Sequence, residues 1–149
     1  MEWHNGLPRP SKPWKRFLPA ALALAIVSGC TDPVPLVDVS GTVRLGDRPL
    51  PNVLVTFLPD PTKGAAGPCS RAVTDAEGRY RLRCEDRRPG AVAGWHRVLI
   101  EDLSCYEADR KENAPPAAPS RVPDRYRSTT GTPLRKQVTS DLQPIDLDL

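Results

Sequence analysis

Cys69-Ser70-Arg71-Ala72-Val73-Thr74-Asp75-Ala76-Glu77-Gly78-Arg79-Tyr80-Arg81-Leu82-Arg83-Cys84 reads as strand, turn, strand. Asp75 to Gly78 supply the turn: Asp75 can bond its own backbone two residues on, and Gly78 can take the positive φ that hairpin turns need. Opposed residues in an antiparallel pair have a constant index sum. A four-residue turn centred between Ala76 and Glu77 gives a sum of 153, which sets Cys69 opposite Cys84. That register turns Val73, Tyr80 and Leu82 toward the core, and leaves Ser70, Ala72, Thr74 and Arg79, Arg81 and Arg83 on the wet face. A Cys69–Cys84 disulfide is the expectation. Closing about 15 residues would stabilise by ~3 kcal/mol on the chain-entropy model. Cys105 is then the odd thiol, and three pairings of the three cysteines are formally open.

Alternation recurs on either side of this hairpin. Val37, Val39, Gly41, Val43 and Leu45 share one face of a strand over 37–45, with Asp38, Ser40, Thr42 and Arg44 on the other. Asn52 to Leu58 is apolar on both faces and reads as a central strand. Trp95 to Leu103 follows a Pro89-Gly90 turn, and Gln137 to Thr139 and Ile145 to Leu149 close the chain. Eighteen Pro and ten Gly, with no sustained i, i+3, i+4, i+7 pattern after residue 29, exclude a helical bundle. Residues 106–123 are polar and hold four prolines, so they are expected to form a flexible loop. The expected fold is an all-β Greek-key sandwich of about seven strands over 37–149.

The N-terminus has a different character. Arg9, Lys12, Lys15 and Arg16 precede an uncharged run from Phe17 to Gly29, and Val27-Ser28-Gly29-Cys30 ends it. Basic, then apolar, then small residues is the order of a secretory signal peptide, here residues 1–29. No Arg-Arg pair lies in the basic region, which argues against the twin-arginine route. Val-Ser-Gly-Cys resembles the lipobox of bacterial lipoproteins. That resemblance implies diacylglycerol on Cys30, a tether over 30–36 and attachment to a membrane of the bacterial cell envelope. Two or three acyl chains at ~0.8 kcal/mol per buried methylene make such an anchor stable.

Charge narrows the partners. The chain has 21 basic and 18 acidic residues; residues 1–29 take four basic and one acidic, which leaves 17 against 17. A mature chain of zero net charge has no surplus to contact nucleic-acid phosphates. Chemistry is equally sparse. His96 is the one histidine after the signal and is expected on an edge strand rather than in a metal site, since zinc needs three or four ligands. Asp75 and Glu77 are too few for calcium, and no serine lies in a Gly-x-Ser-x-Gly elbow.

Several short motifs follow one another in order: Val39-Ser40-Gly41-Thr42-Val43, Arg48-Pro49-Leu50-Pro51-Asn52-Val53, Val55-Thr56-Phe57 and Thr74-Asp75-Ala76-Glu77-Gly78-Arg79-Tyr80. This order resembles the carboxypeptidase-regulatory-like, transthyretin-like β-sandwich family. Pro89-Gly90-Ala91-Val92, His96-Arg97-Val98 and Pro123 to Tyr126 with Thr132-Pro133-Leu134 are similar to a small-lipoprotein version found in planctomycete bacteria. The resemblance implies a seven-stranded Greek-key sandwich without catalytic residues, and with the sparse chemistry above no metal or cofactor is expected. The expected function is a non-enzymatic structural or interaction module on a lipid anchor, with an envelope protein or glycan as partner. A carbohydrate- or peptide-binding module is the alternative; Trp95 and Tyr126 are its candidate ligand-binding residues, with Tyr106 a further aromatic.

Overall fold

Two sheets packed face to face bury one set of alternating side chains between them. The computed structural model describes residues 34–107, 119–141 and 144–149; the expected signal segment 1–29, Cys30 and most of the expected 106–123 loop lie outside them. Eleven short strands are formed among the described residues. They are β1 (Leu36–Val37), β2 (Ser40–Leu45), β3 (Arg48–Pro49), β4 (Val53–Pro59), β5 (Ser70–Val73), β6 (Arg79–Arg81), β7 (Arg83–Cys84), β8 (Ala91–Val92), β9 (Gly94–Asp102), β10 (Arg135–Val138) and β11 (Leu147–Asp148). The seven expected segments all recur. Those at 37–45 and 79–84 are each broken in two, and β3 and β8 are added as two-residue stubs.

One sheet runs β10-β9-β4-β5-β7, with β4 central as its two apolar faces require. The second joins β11 to β2 in parallel and β3 and β6 to β2 antiparallel, while β1 pairs with β8 alone. The chain is therefore an all-β sandwich. Its core takes Val53, Val55 and Phe57 from β4, Val98 and Ile100 from β9, Val43 from β2, Tyr80 from β6 and Leu147 from β11. All described residues belong to one compact unit, residues 32–149, with a hydrophobic core among them, and a domain with its own core can in principle fold alone.

The segment 79–84 passes from one sheet to the other. Arg79, Tyr80 and Arg81 pair with Thr42, Gly41 and Ser40 of β2, whereas Arg83 and Cys84 pair with Arg71 and Ser70 of β5. Leu82, fully buried, sits at the crossing; its amide donates to Val39 O and its carbonyl accepts from the Gly90 amide. Strands that switch sheets form the corners of sandwiches.

The hairpin register differs from expectation by one residue. The Asp75 amide donates to Arg79 O at 2.9 Å, so Asp75 and Arg79 close the turn and Ala76-Glu77-Gly78 form a three-residue loop. Gly78 has φ +72°, the left-handed conformation such a loop needs, and Asp75 Oδ1 accepts from the Glu77 and Arg79 amides. The index sum becomes 154. Cys84 then faces Ser70, and Cys69 moves to the opposite side of the sheet, where its thiol donates to Glu85 Oε1 at 2.9 Å. The expected Cys69–Cys84 disulfide is corrected: Cys69, Cys84 and Cys105 are free thiols. Val73 is likewise turned out to solvent, and Ser70 and Thr74 are turned in. Thr74 tolerates burial because its hydroxyl donates to Leu50 O (2.7 Å) and accepts from the Val53 amide (3.0 Å).

Two further expectations are corrected. β9 lies between β10 and β4, so His96 is an interior residue, fully buried with its ring 5.7 Å from that of Phe57. The C-terminal part of the expected loop, 119–123, is ordered into the fold, with Val122 in the core.

Gly41 brings the C-terminus against β2. A Cβ there would lie 2.1 Å from Ile145 O, the atom that also accepts from the Tyr80 hydroxyl at 2.5 Å. Gly41→Ala should cost about 3 kcal/mol, the scale of overpacking a close contact. Urea denaturation of residues 31–149 measures this; an unchanged midpoint would show that the C-terminal segment does not pack there.

Candidate binding surface

Parity along β9 separates an inner row from an outer one. His96, Val98, Ile100 and Asp102 are buried, and Trp95, Arg97, Leu99 and Glu101 alternate with them on the outside. The register carries this outer row across the sheet. Leu54 of β4 lies between Val73 of β5 and Glu101, and Thr56 lies between Arg71 and Leu99.

Two buried carboxylates pin chain segments beside this sheet. Asp60 follows β4 and is 1 % exposed. It accepts from Arg97 Nη2 (3.0 Å) and from the Thr62 amide and hydroxyl, with Arg135 Nε at 3.7 Å. The Arg97 hydrogen bond, followed by those of Thr62, holds its carboxyl well below the usual carboxylate range. Arg97 and Arg135 also donate to Thr129 O and Thr132 O, which ties down the segment before β10. At the other end of β9, Asp102 accepts from Arg121 Nε (2.9 Å), Arg121 Nη2 (2.6 Å) and the Arg121 amide (2.8 Å). It also accepts from the Ser104 hydroxyl (2.6 Å). Burial by itself would raise this carboxyl; the Arg121 and Ser104 hydrogen bonds overcome it and leave the group well below its ordinary value. Both carboxylates therefore stabilise the fold above the ordinary carboxylate range, and this is lost as pH falls through their depressed values.

Between these two clasps the chain makes a 3-10 turn, Asp124–Tyr126. A cleft of about 330 Å³ opens between this turn and the sheet, lined by Leu54, Thr56 and Leu99 below and Glu101, Asp124 and Arg127 at the rim. The rim groups are joined: Tyr106 Oη donates to Glu101 Oε1 at 2.9 Å, Arg127 Nη2 donates to Tyr106 Oη at 3.4 Å, and Arg127 Nη1 lies 3.3 Å from Asp124 Oδ1. The Glu101 hydrogen bond pushes the Tyr106 phenol up. An apolar floor with a few convergent polar groups is the general form of a small-ligand or peptide site.

The two aromatic residues expected to bind ligand fare differently. Trp95 is 37 % exposed on the outer row, but it lies four residues along β9 from Leu99, ~13 Å at strand rise. Tyr126 is 5 % exposed, packed in the core with the Arg125 guanidinium 4.8 Å above its ring. Its flat face is occupied, and Tyr126 is withdrawn as a ligand residue. Tyr106, 44 % exposed, is the aromatic joined to the cleft's lining residues, through Glu101 and Arg127. Glu101, Asp124 and Arg127 escaped the sequence reading, although Glu101 shares Trp95's parity on a readable strand.

His96 Nδ1 is 3.1 Å from Gly94 O and its Nε2 is buried without a partner. Among the described residues no group of three or more His, Cys, Asp or Glu could hold a metal ion, and no helix is long and apolar enough to cross a membrane. No family profile, no curated protein and no solved structure matches the chain.

Burial pushes the His96 imidazole below its ordinary value, opposed by the Gly94 carbonyl. The unfolded chain therefore takes up this proton first, and stability falls as pH drops below about 6.5. Urea midpoints of the wild type should decline between pH 7.5 and pH 5 more steeply than those of His96→Leu. Parallel slopes would contradict a buried neutral imidazole.

Proposed function

We propose that this chain is an exported, lipid-anchored envelope protein of the carboxypeptidase-regulatory-like type, and that its sandwich is a non-enzymatic interaction module. Its partner-binding surface is the outer face of the five-stranded sheet. The observation that carries this reading is the cleft between Leu54, Thr56 and Leu99 and the Glu101–Tyr106–Arg127 rim. Val73, 51 % exposed beside Leu54, extends its apolar floor toward β5. The anchor half of the proposal rests on Val27-Ser28-Gly29-Cys30 behind its basic and apolar run. A carbohydrate- or peptide-binding module is the second reading, favoured by the exposed ring of Trp95 on the same face.

Each half has its own test. Cells fed a radiolabelled fatty acid should label the wild type and not Cys30→Ser; equal label on both, or none on either, rejects the anchor. A photo-crosslinking amino acid at Leu99 or Val73 should trap one discrete partner in living cells, and the same group at Arg48 should not. Capture of the same species from all three positions would reject the surface. Glycan-array binding by residues 31–149 that is lost in Trp95→Ala would instead favour the second reading.

A further inference from the structure

The chain leaves the domain toward Cys30 beside a cluster of arginines. Val34, the first described residue, has its carbonyl held by Arg88 Nη1 at 3.1 Å, and two residues later β1 pairs with β8. Arg88 belongs to the tight loop that links β7 to Pro89: the Arg87 amide donates to Cys84 O, the Cys84 amide donates to Arg88 O, and Arg87 has φ +69°. Three residues separate Val34 from Cys30, so the four chain steps between them reach at most ~14 Å. Whatever surface holds Cys30 is therefore held within that distance of this loop's attachment point.

The charges around the loop do not cancel. Arg71, Arg81, Arg83, Arg87 and Arg88 stand against Asp38, Glu85 and Asp86. Asp38 is engaged by Arg81 (Nε to Oδ1 3.0 Å), Asp86 by Arg88 (2.6 Å), and Glu85 accepts the Cys69 thiol. Arg71, which has the Cys69 thiol beside it, and Arg83 and Arg87 form no ion pair among the described residues, and all three are exposed. Arg71 and Arg83 are also direct cross-strand partners on the outer face. Like charges in that relation destabilise a sheet unless an anion lies between or over them. In a mature chain of zero net charge, this local excess sits where the tether fixes the domain.

We infer that the β7–Pro89 loop end is a membrane-facing surface, on which Arg71, Arg83 and Arg87 contact the anionic phosphates of the lipid headgroups that carry the anchor. The inference rests on the anchored reading above, because the short tether is what brings these guanidinium groups to the headgroups. A basic residue at an anionic surface changes binding about fivefold, and the effect fades within a Debye length. The three together would fix the domain's orientation and leave the cleft of the outer face at a set angle to the membrane.

The test replaces the acyl anchor with an attachment that is the same on every vesicle. Residues 31–149 with an N-terminal hexahistidine are bound to phosphatidylcholine vesicles through a nickel-chelating lipid, with or without about 30 % phosphatidylglycerol. Arginine modification by phenylglyoxal is then read residue by residue by mass spectrometry. Arg71, Arg83 and Arg87 should react at least about threefold more slowly on the phosphatidylglycerol vesicles, and about 0.5 M salt should abolish the difference. Arg44 and Arg48 should react equally on both. Equal rates at the three arginines on both vesicles would overturn the inference, as would the same slowing by about 10 mM inorganic phosphate without vesicles, which would mark a soluble-anion site. Failure here is distinct from failure of the anchor, since this attachment does not use Cys30 and the fatty-acid labelling does.

Discussion

The hydrogen bond from the Asp75 amide to Arg79 O fixes the parity of everything that follows it as far as Cys84. With three residues inside the turn rather than four, Tyr80, Leu82 and Cys84 face inward together with Ser70, Ala72 and Thr74, and the odd-numbered residues of both arms face out. A one-residue slip exchanges the two faces of a strand. Here that constraint turns Cys69 away from Cys84, exposes Val73 beside the cleft and sets Arg71 next to Arg83. Gly78 makes it possible, because φ +72° is costly for a residue with a Cβ and a Cβ there would lie 2.7 Å from Val43 O.

Buried charge does a second task in this small domain. Asp60 and Asp102 are each almost fully enclosed, and each is satisfied by an arginine and a neighbouring hydroxyl. Enclosed ion pairs are weak sources of net stability, and removing one partner is costly because the other is stranded. Their effect is geometric. Asp102 fixes Arg121, and Asp60 fixes Arg97 and Arg135, so the segment between them is held at both ends and walls the cleft with Asp124 and Arg127. The fold spends its polar contacts on placing a surface.

The strands were legible because a sheet with one wet face writes itself as alternation, as β2, β9 and β11 do, and because a central strand such as β4 writes itself as a short apolar run. Turn length was not, since alternation is indifferent to whether three or four residues close a loop. Hydropathy also favoured Val73 over Thr74 for the core; two hydrogen bonds to the backbone of 50–53 reversed that order. The site was legible only in part. Trp95 and Tyr106 were readable as exposed aromatic residues, but the burial of Tyr126 and His96 depends on what packs over them. The clasps link residues 37 and 19 apart through side chains of opposite charge, and a sequence with 17 of each sign after residue 29 offers too many such pairings to choose among.

Both proposed surfaces descend from the same parity: the cleft beside Val73 and Leu54, and the arginines opposite one another at 71 and 83. The most direct measurement is therefore of register, by nuclear Overhauser contacts in isotope-labelled residues 31–149. Cross-strand backbone contacts are expected between Ser70 and Cys84 and between Arg71 and Arg83. Contacts between Cys69 and Cys84 instead would contradict that register, and would return Val73 to the core and separate the arginine pair.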